Sequence, residues 1–471
     1  MNNQEKLEFL ISPEKFFPMN IRRATLFGNM EFITAAERYL DILKESNFWP
    51  KEEIEYIQIQ RLKNLLSRVN KRSSFWADYL IKNGVNFENL LNLSDLKHLP
   101  VLRRDKLADF GNKIYISPLP DELPTFSIFS SGTTGVPFAM LFSEREKLIN
   151  FPFHFRHLPF QKQTLRQMLS RKSYVMLGLP GFRYLFEKDF FDNTFALLRP
   201  SDLYEKEIRE NIYRKIRDAA PAFLFGYGSL IAKLALFVSE DEVKLPLFAV
   251  RITSESISPV ERDLIRQVFN APLVESYIST VGGNIGFSCA DKEGFFHVNS
   301  EAVFLEVLDE NGHSVQEGEE GELVITSAVS TITPVIRYSL NDMGSLFLHK
   351  CSCGSNLPIV KFSGRRGYNL CLPSGRKIRS ITLHSRALLV DTGLIRLAKQ
   401  FQFIQDRLDK LLLLIVPRRK VTDVDEIKIR LAITELLDGE KMIIEIKCVN
   451  IIPSRNGHKP SFFIPLSEIQ K

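Results

Sequence analysis

Phe129-Ser130-Ser131-Gly132-Thr133-Thr134-Gly135-Val136-Pro137 decides how this chain is read. Short hydroxyl side chains surround two glycines, and a proline closes the run. The apolar stretch Phe126-Ser127-Ile128-Phe129 leads in, so the pattern predicts a strand running into a loop whose backbone can approach a ligand closely. Such a loop presents amide N–H and hydroxyl donors, which the oxygens of a polyphosphate need. It is not a Walker loop, because the Gly-Lys-Ser/Thr ending is missing. Five residues of this type could also form an ordinary polar turn, so the rest of the chain has to decide.

At 471 residues the chain can build a large core and two or three lobes. Its 44% hydrophobic and 25% charged residues are those of an ordinary globular protein, and its 37 Phe predict aromatic-rich cores. The net charge of +6 is mild and the basic residues are scattered, which argues against a nucleic-acid-binding stripe. Arg418-Arg419-Lys420, next to a proline, reads as a solvated turn. The first thirty residues carry charges throughout and hold no signal-peptide apolar run. No window reaches the eighteen apolar residues of a membrane span. Five cysteines in a chain this long are not a disulfide framework, and they suit a reducing cytoplasm. No Ser-His-Asp signature stands out, and the histidines do not pair at metalloprotease spacing. His154 and His157 sit among Phe151, Phe153 and Phe155, where aromatic packing is the plainer account.

Residues 35 to 85 read as helical, with Ile59, Leu62, Leu65, Leu66 and Val69 at three- and four-residue steps. The segment from Leu96 to Leu107 gives a proline-marked loop and a helix start. From 122 to about 345, short apolar runs alternate with helical patterns: Val175 to Leu179, Ala222 to Gly226 and Pro272 to Tyr277 as strands, Pro259 to Phe269 as an amphipathic helix. That alternation predicts an α/β body with largely parallel sheets, and the strands Val303 to Val307 and Glu322 to Thr326 a more β-rich lobe. Gly226-Tyr227-Gly228-Ser229 reads as a strand-end turn. A break falls at Gly364-Arg365-Arg366-Gly367. Beyond it, Phe401 to Ile404, Leu411 to Val416, Asp423 to Leu437 and Ile443 to Ile452 read as strand, strand, helix, strand, with Asp423 capping the helix and Glu426 as its partner. The division expected is a large domain 1–363 with a helical lead-in over 1–110, a hinge at 364–367, and a small α+β domain over 368–471.

Several segments in the right order resemble the acyl-adenylate-forming superfamily, and most of all its branch of phenylacetate–coenzyme A ligases and capsular-polysaccharide-type adenylating proteins. The resemblance is close to full length. It implies that Ser130, Ser131, Gly132, Thr133, Thr134 and Gly135 bind the ATP phosphates. Ile252-Thr253-Ser254-Glu255-Ser256 stands where the family lines its adenine site, which implicates Ser254, Glu255 and Ser256; a helix cap before Pro259 is the plain alternative. Pro334-Val335-Ile336-Arg337-Tyr338-Ser339-Leu340-Asn341-Asp342 resembles the family segment whose aspartate accepts hydrogen bonds from both ribose hydroxyls, which assigns that role to Asp342. Gly364-Arg365 resembles the hinge, with Arg365 on the nucleotide. Ile452 to Lys459 resembles the loop carrying a catalytic lysine, here Lys459, displaced by His458 from its glycine. A cation there would stabilise charge during displacement at the α-phosphorus.

Tyr277-Ile278-Ser279-Thr280-Val281-Gly282-Gly283 departs from the family pattern. Tyr277 and Thr280 match it, but Val281 replaces the glutamate that holds Mg²⁺ against the phosphates, and valine has no oxygen to offer a hard cation. Loss of that ligand could cost on the order of 10²- to 10³-fold in rate. Separately, Cys289, His297, Cys351 and Cys353 have the types and spacing of a tetrahedral Zn²⁺ site, two of them in a tight Cys-x-Cys turn before Gly354. Relatives in the same branch carry a similar set. Buried thiols with a surface histidine are the alternative. Cys371 and Cys448 read as core residues.

The resemblance implies an ATP-dependent acid–thiol ligase that forms an acyl-adenylate from a small carboxylate, an aryl acid for instance. The acyl group would then pass to coenzyme A or another acceptor. Two other readings stand beside it: a degenerate member that only binds nucleotide or acyl group, and adenylyl transfer to a different acceptor. Val281, Ile278 in place of the family's glycine, Gly367 and Tyr368 in place of its customary aspartate pair, and the displaced Lys459 favour the degenerate member, while the intact phosphate loop and Asp342 oppose it. The oligomeric state, a homodimer included, is open.

Overall fold

The computed structural model describes residues 1–17, 29–86, 88, 93–116, 126–130, 138–158, 166, 174–178, 195–197, 202–253, 257–279, 281–330, 332–380, 383, 388, 391–452 and 462–469. Ser131 to Gly135, Ser254 to Ser256, Thr280 and Lys459 lie outside the described residues, and of Ser130 only the backbone is described.

Four helices open the chain: α1 (Asn3–Ile11), α2 (Met30–Ser46), α3 (Lys51–Arg72) and α4 (Ser74–Lys82). After α5 (Arg104–Phe110) come β1 (Phe126–Ser130), β2 (Phe138–Phe142) and α6 (Glu144–Asn150). Strands and helices then alternate through β3 (Tyr174–Gly178), β4 (Phe195–Leu197), α7 (Lys206–Asp218), β5 (Ala222–Tyr227), α8 (Gly228–Glu240), β6 (Leu247–Thr253) and α9 (Pro259–Phe269). A run of strands follows: β7 (Leu273–Ser279), β8 (Gly283–Ser288), β9 (Phe295–Val298), β10 (Val303–Leu308), β11 (Glu320–Ser327), β12 (Tyr338–Phe347) and β13 (Ile359–Arg365). The last hundred residues give β14 (Asn369–Cys371), β15 (Lys377–Arg379), β16 (Ala398–Arg407), β17 (Lys410–Pro417), α10 (Asp423–Leu437), β18 (Ile443–Cys448) and β19 (Phe463–Ile464).

The chain forms two compact units, one of Met1–Tyr174, Tyr184–Thr194 and Val274–Phe362, the other of Val175–Arg183, Phe195–Leu273 and Ser363–Lys471. In the first, α3 buries Ile54, Ile57, Leu62, Leu65, Leu66 and Val69, the single stripe that its three- and four-residue apolar spacing dictates. Ser73 caps α4 by accepting from the Trp76 N–H. The Trp76 indole then donates to the Ile114 carbonyl at 2.9 Å, which satisfies its one polar atom in a buried position. The strands of this unit run β10-β11-β12-β13-β9-β8-β7. β10/β11, β11/β12, β13/β9, β8/β9 and β7/β8 are antiparallel, where the sequence pattern predicted largely parallel pairing.

In the second unit β6, β5, β3 and β4 are neighbours in that order, with β5/β6 and β3/β4 parallel. Val175, Leu177, Leu224, Val250 and Ile252 pack with Ile231, Leu234 and Ile265 of the helices in one core. Ser258 closes a capping box with Glu261 at the start of α9. The same unit holds a four-stranded sheet of order β18-β17-β16-β19, with Phe403, Leu413, Ile415, Ile433 and Phe463 fully buried in its core. Two sequence expectations change here. Thr422, not Asp423, caps α10, and its box partner is Asp425, because Thr422 holds the extended conformation that a cap needs. Cys448 is exposed and Cys371 only half-buried, so neither is a core residue.

Candidate active site

Tyr277 lies near the end of β7, its ring between Phe296 and Phe362 with centroids at 6.0 and 5.8 Å. Its hydroxyl donates to Asp342 Oδ2 at 2.7 Å. The aspartate reaches it through an irregularity in β12. Ser339 pairs with Val324 and Met343 with Glu322, so four residues of β12 advance while β11 advances two. Asn341 takes up the excess in a left-handed conformation, φ +58°, and is exposed. A bulge of this kind re-aims the next side chain, and Asp342 turns inward to 6% exposure.

The preceding arginine has a different task. Arg337 is buried and pairs with Glu306 at 2.9 Å, while its Nη1 donates to the carbonyls of Lys97 and Leu99 at 2.9 and 2.5 Å. Burial pushes the Glu306 carboxyl up, and the Arg337 guanidinium opposes that push. Leu102 adds a short parallel bridge to Tyr338, its N–H donating to the Arg337 carbonyl at 2.8 Å. Arg103 pairs with Glu322, which also accepts from the Ser339 hydroxyl. The segment from Leu99 to Arg103 is therefore stitched to the strand that carries Asp342, which gives the Pro-x-Ile-Arg-Tyr stretch a positioning role.

Val281 is buried at 5% exposure, and its side chain has no oxygen to offer a cation. Its N–H donates to the Ser279 hydroxyl at 3.2 Å, closing the turn between β7 and β8. Arg365 ends β13 after Gly364, whose φ of +120° only glycine adopts without strain.

Cys289, His297, Cys351 and Cys353 converge. Cys289 follows β8, His297 lies on β9, and the other two occupy the turn after β12, where Gly354 has φ +90°. Their four ligand atoms all lie within 4.8 Å of one another. Cys289 Sγ and Cys351 Sγ are 3.5 Å apart, and Cys353 Sγ and His297 Nε2 are 3.2 Å apart. Zinc–sulfur bonds of 2.3 Å at tetrahedral angles place sulfurs about 3.8 Å apart, so the set needs only small adjustment to close on Zn²⁺. His297 Nδ1 faces the Leu357 carbonyl at 3.4 Å, the outer contact that leaves Nε2 for a metal. Burial holds the imidazole down to about 4, so it is neutral, and pushes the Cys353 thiol up to about 12. A dication is what would reverse the second effect.

Two polar clusters, one buried and one partly exposed, were not legible in the sequence. In the first unit Arg156 makes a two-pronged pair with Glu301 at 2.6 and 2.9 Å, both side chains fully buried, and Ser46 and Asn299 complete their contacts. In the second unit Arg418, expected in a solvated turn, pairs with Glu240 at 2.9 and 3.0 Å and covers the rings of Tyr204 and Phe237 at 5.3 and 5.4 Å. Lys233 donates to the Tyr204 hydroxyl at 3.0 Å.

No family model matches the chain. Staphylococcus aureus protein CapK is 21% identical over 415 residues, 87% of this chain and 88% of that protein. The phenylacetate–coenzyme A ligase of Thermus thermophilus is 22% identical over 315 residues, 65% of this chain and 68% of that enzyme. Among solved structures, 2-hydroxyisobutyryl-CoA ligase in the postadenylation state superposes with a TM-score of 0.67 at 16% identity, over 89% of this chain and 90% of that one. The chain is thus similar in sequence to CapK and to a phenylacetate–coenzyme A ligase, and its mixed α/β architecture is the fold of an adenylate-forming ligase.

Proposed function

We propose that this protein activates a small carboxylate with ATP and transfers the acyl group to the thiol of coenzyme A. A carboxylate oxygen attacks the α-phosphorus, the bond to the β-phosphate oxygen breaks, and pyrophosphate leaves. The thiol sulfur then attacks the acyl carbon, the bond from that carbon to the bridging anhydride oxygen breaks, AMP departs with that oxygen, and the thiol proton goes to solvent. The observation that carries this reading is the Tyr277–Asp342 contact, in a chain whose relatives and structural neighbours include coenzyme A ligases.

In this reading Asp342 accepts from the ribose hydroxyls and Tyr277 fixes its carboxylate. Ser130 to Gly135 hold the phosphates, Ser254 to Ser256 and Thr280 border the nucleotide, and Arg365 and Lys459 supply positive charge during displacement. Most of the acceleration comes from positioning and charge stabilisation. The small α+β domain over 368–471 turns about 364–367 between the two half-reactions. Zn²⁺ on Cys289, His297, Cys351 and Cys353 is structural, since four protein ligands leave no open position. Mg²⁺ enters with ATP and is held by the phosphates and water, because Val281 cannot ligate it. The cytoplasm is the proposed location, from the cysteine usage; no helix of the described residues is long and apolar enough to cross a membrane.

The buried Val281 favours a second reading, in which the chain binds nucleotide without turning it over. Calorimetry with ATP, with and without Mg²⁺, separates the two when followed by pyrophosphate exchange over a panel of acids. The ligase reading expects micromolar binding strengthened by Mg²⁺ and exchange with at least one acid. Binding indifferent to Mg²⁺ with no exchange supports the sensor, and no binding at millimolar ATP defeats both.

A further inference from the structure

Asn150 and Asn284 each bury a side-chain carbonyl oxygen that accepts no hydrogen bond. Asn284, on β8, is 1% exposed, and its Nδ2 stands 3.4 Å from His154 Nδ1. Asn150, the last residue of α6, is 9% exposed, and its Nδ2 donates to the Glu146 carbonyl at 2.9 Å. Its oxygen rests against Gly283, where a Cβ would come within 3.4 Å of it; Gly283 itself has φ +69°.

Leaving a buried acceptor unpaired is costly, and folded proteins keep few such groups. Two on one small patch imply a donor that comes from outside the chain. The position of the patch says which. Gly283 pairs with Ser279 and Asn284 with Ile278, the residue next to Tyr277, so both sit on the hairpin whose tyrosine holds the proposed ribose anchor, Asp342. A hydrocarbon chain placed there would leave both oxygens unpaired.

Building on the ligase reading above, we infer that Asn150, Asn284 and His154 form a polar wall of the acyl site, and that the carboxylate bears an N–H or O–H donor on its chain. The substrate class is then a hydroxy or amino acid in place of a plain alkanoic or arylacetic acid. A site built to pair such a donor rejects the analogue lacking it strongly, because rejection leaves buried acceptors bare.

The test is calorimetry on the full chain in the presence of AMP, with matched acids: phenylacetate against 4-hydroxyphenylacetate, and butanoate against 3-hydroxy-, 4-hydroxy- and 4-aminobutanoate. At least one donor-bearing acid should bind ten-fold or more tightly than its parent. Asn150→Ala and Asn284→Ala should bring that ratio toward one. Asn150→Asp and Asn284→Asp keep the shape, should an alanine variant fail to fold, and should move the preference toward the amine. Parent acids binding as well as every hydroxy and amino partner would overturn the proposal, as would a ratio that survives both substitutions or a failure of both series to bind. In the first two cases buried water meets the two oxygens. The ligase reading fails separately, when an acid that binds supports no pyrophosphate exchange.

Discussion

The Tyr277 hydroxyl holds Asp342 Oδ2 at 2.7 Å across 65 residues of sequence, so two separate motifs meet in one contact. If Asp342 is the ribose anchor, its charge matters more than its shape. Hydrogen bonds to charged groups are worth ~1.5–3 kcal/mol, so Asp342→Asn should weaken ATP binding on the order of 10- to 100-fold. Tyr277→Phe removes only the fixing hydroxyl and should cost about three-fold, a few tenths of a kcal/mol up to ~1. Calorimetry of both variants checks the order; a larger loss for Tyr277→Phe would place the nucleotide on the tyrosine instead.

The Cys289, His297, Cys351, Cys353 cluster should bring metal through purification, at about one zinc per chain by elemental analysis. Cys351→Ser should weaken zinc binding at least about 100-fold and lower the melting temperature, since binding energy at a closed site is folding energy. A strong chelator should lower the wild-type melting temperature and leave that of Cys351→Ser unmoved. A metal-free protein with wild-type stability would leave four thiol and imidazole groups packed for other reasons.

What the sequence could and could not reveal follows from distance along the chain. The helix Pro259–Phe269 was legible because its signals are local: a proline start, an apolar stripe and a preceding serine. The cap of α10 was misplaced by one residue because Thr422, Asp423 and Asp425 are all cap-competent, and only backbone geometry separates them. Antiparallel pairing in the first unit escaped notice because an apolar run carries no direction. Arg418 read as solvated because Glu240, its partner, is 178 residues away. The Arg156–Glu301 pair had no signal for the same reason, with 145 residues between its members. Asp342 was singled out by motif, but the bulge at Asn341 that turns it inward had no signal in the sequence.

Arg156 and Glu301 are both fully buried, so breaking the pair should be costly in either direction. Glu301→Gln or Arg156→Met should each destabilise the chain by about 3–5 kcal/mol in urea, while Arg156→Met with Glu301→Leu recovers much of it. Burial alone would raise the Glu301 carboxyl, but the Arg156 guanidinium and the Ser46 hydroxyl hold it below its ordinary value. Its contribution is therefore present above the ordinary carboxylate range and lost as pH falls through it. Stability of the wild type should fall more steeply below pH 4.5 than that of the apolar double variant.

Arg418 and Glu240 are partly exposed, at 22% and 41%, which limits their ion pair to about 0.2–1 kcal/mol. Arg418 also covers two aromatic rings, and that contact adds ~0.5–1 kcal/mol or more. Arg418→Ala should therefore destabilise the chain more than Glu240→Ala. A double-mutant cycle should give a coupling energy below about 1 kcal/mol. Equal losses for the two single variants would mean that the rings contribute nothing.

Lys233 gives the pH dependence with the clearest sign. Burial, with the nearby charge of Arg418, lowers it from 10.5 to about 8, while Glu261 and Glu240 oppose the shift. Below pH 8 the ammonium is charged in folded and unfolded chain alike, and the cost of its burial is present in full. Between pH 8 and 10.5 the folded chain releases the proton and the unfolded chain keeps it, so this group makes stability rise with pH across that window. Lys233→Met removes the cost at the expense of one hydrogen bond to Tyr204. It should stabilise the protein by about 1 kcal/mol at pH 7, with the gain fading to nothing by pH 10.5. Chemical denaturation of both proteins at the two pH values decides it. A gain that is the same at both would mean that the ammonium is well solvated or well paired where it lies, and that the substitution acts through packing alone.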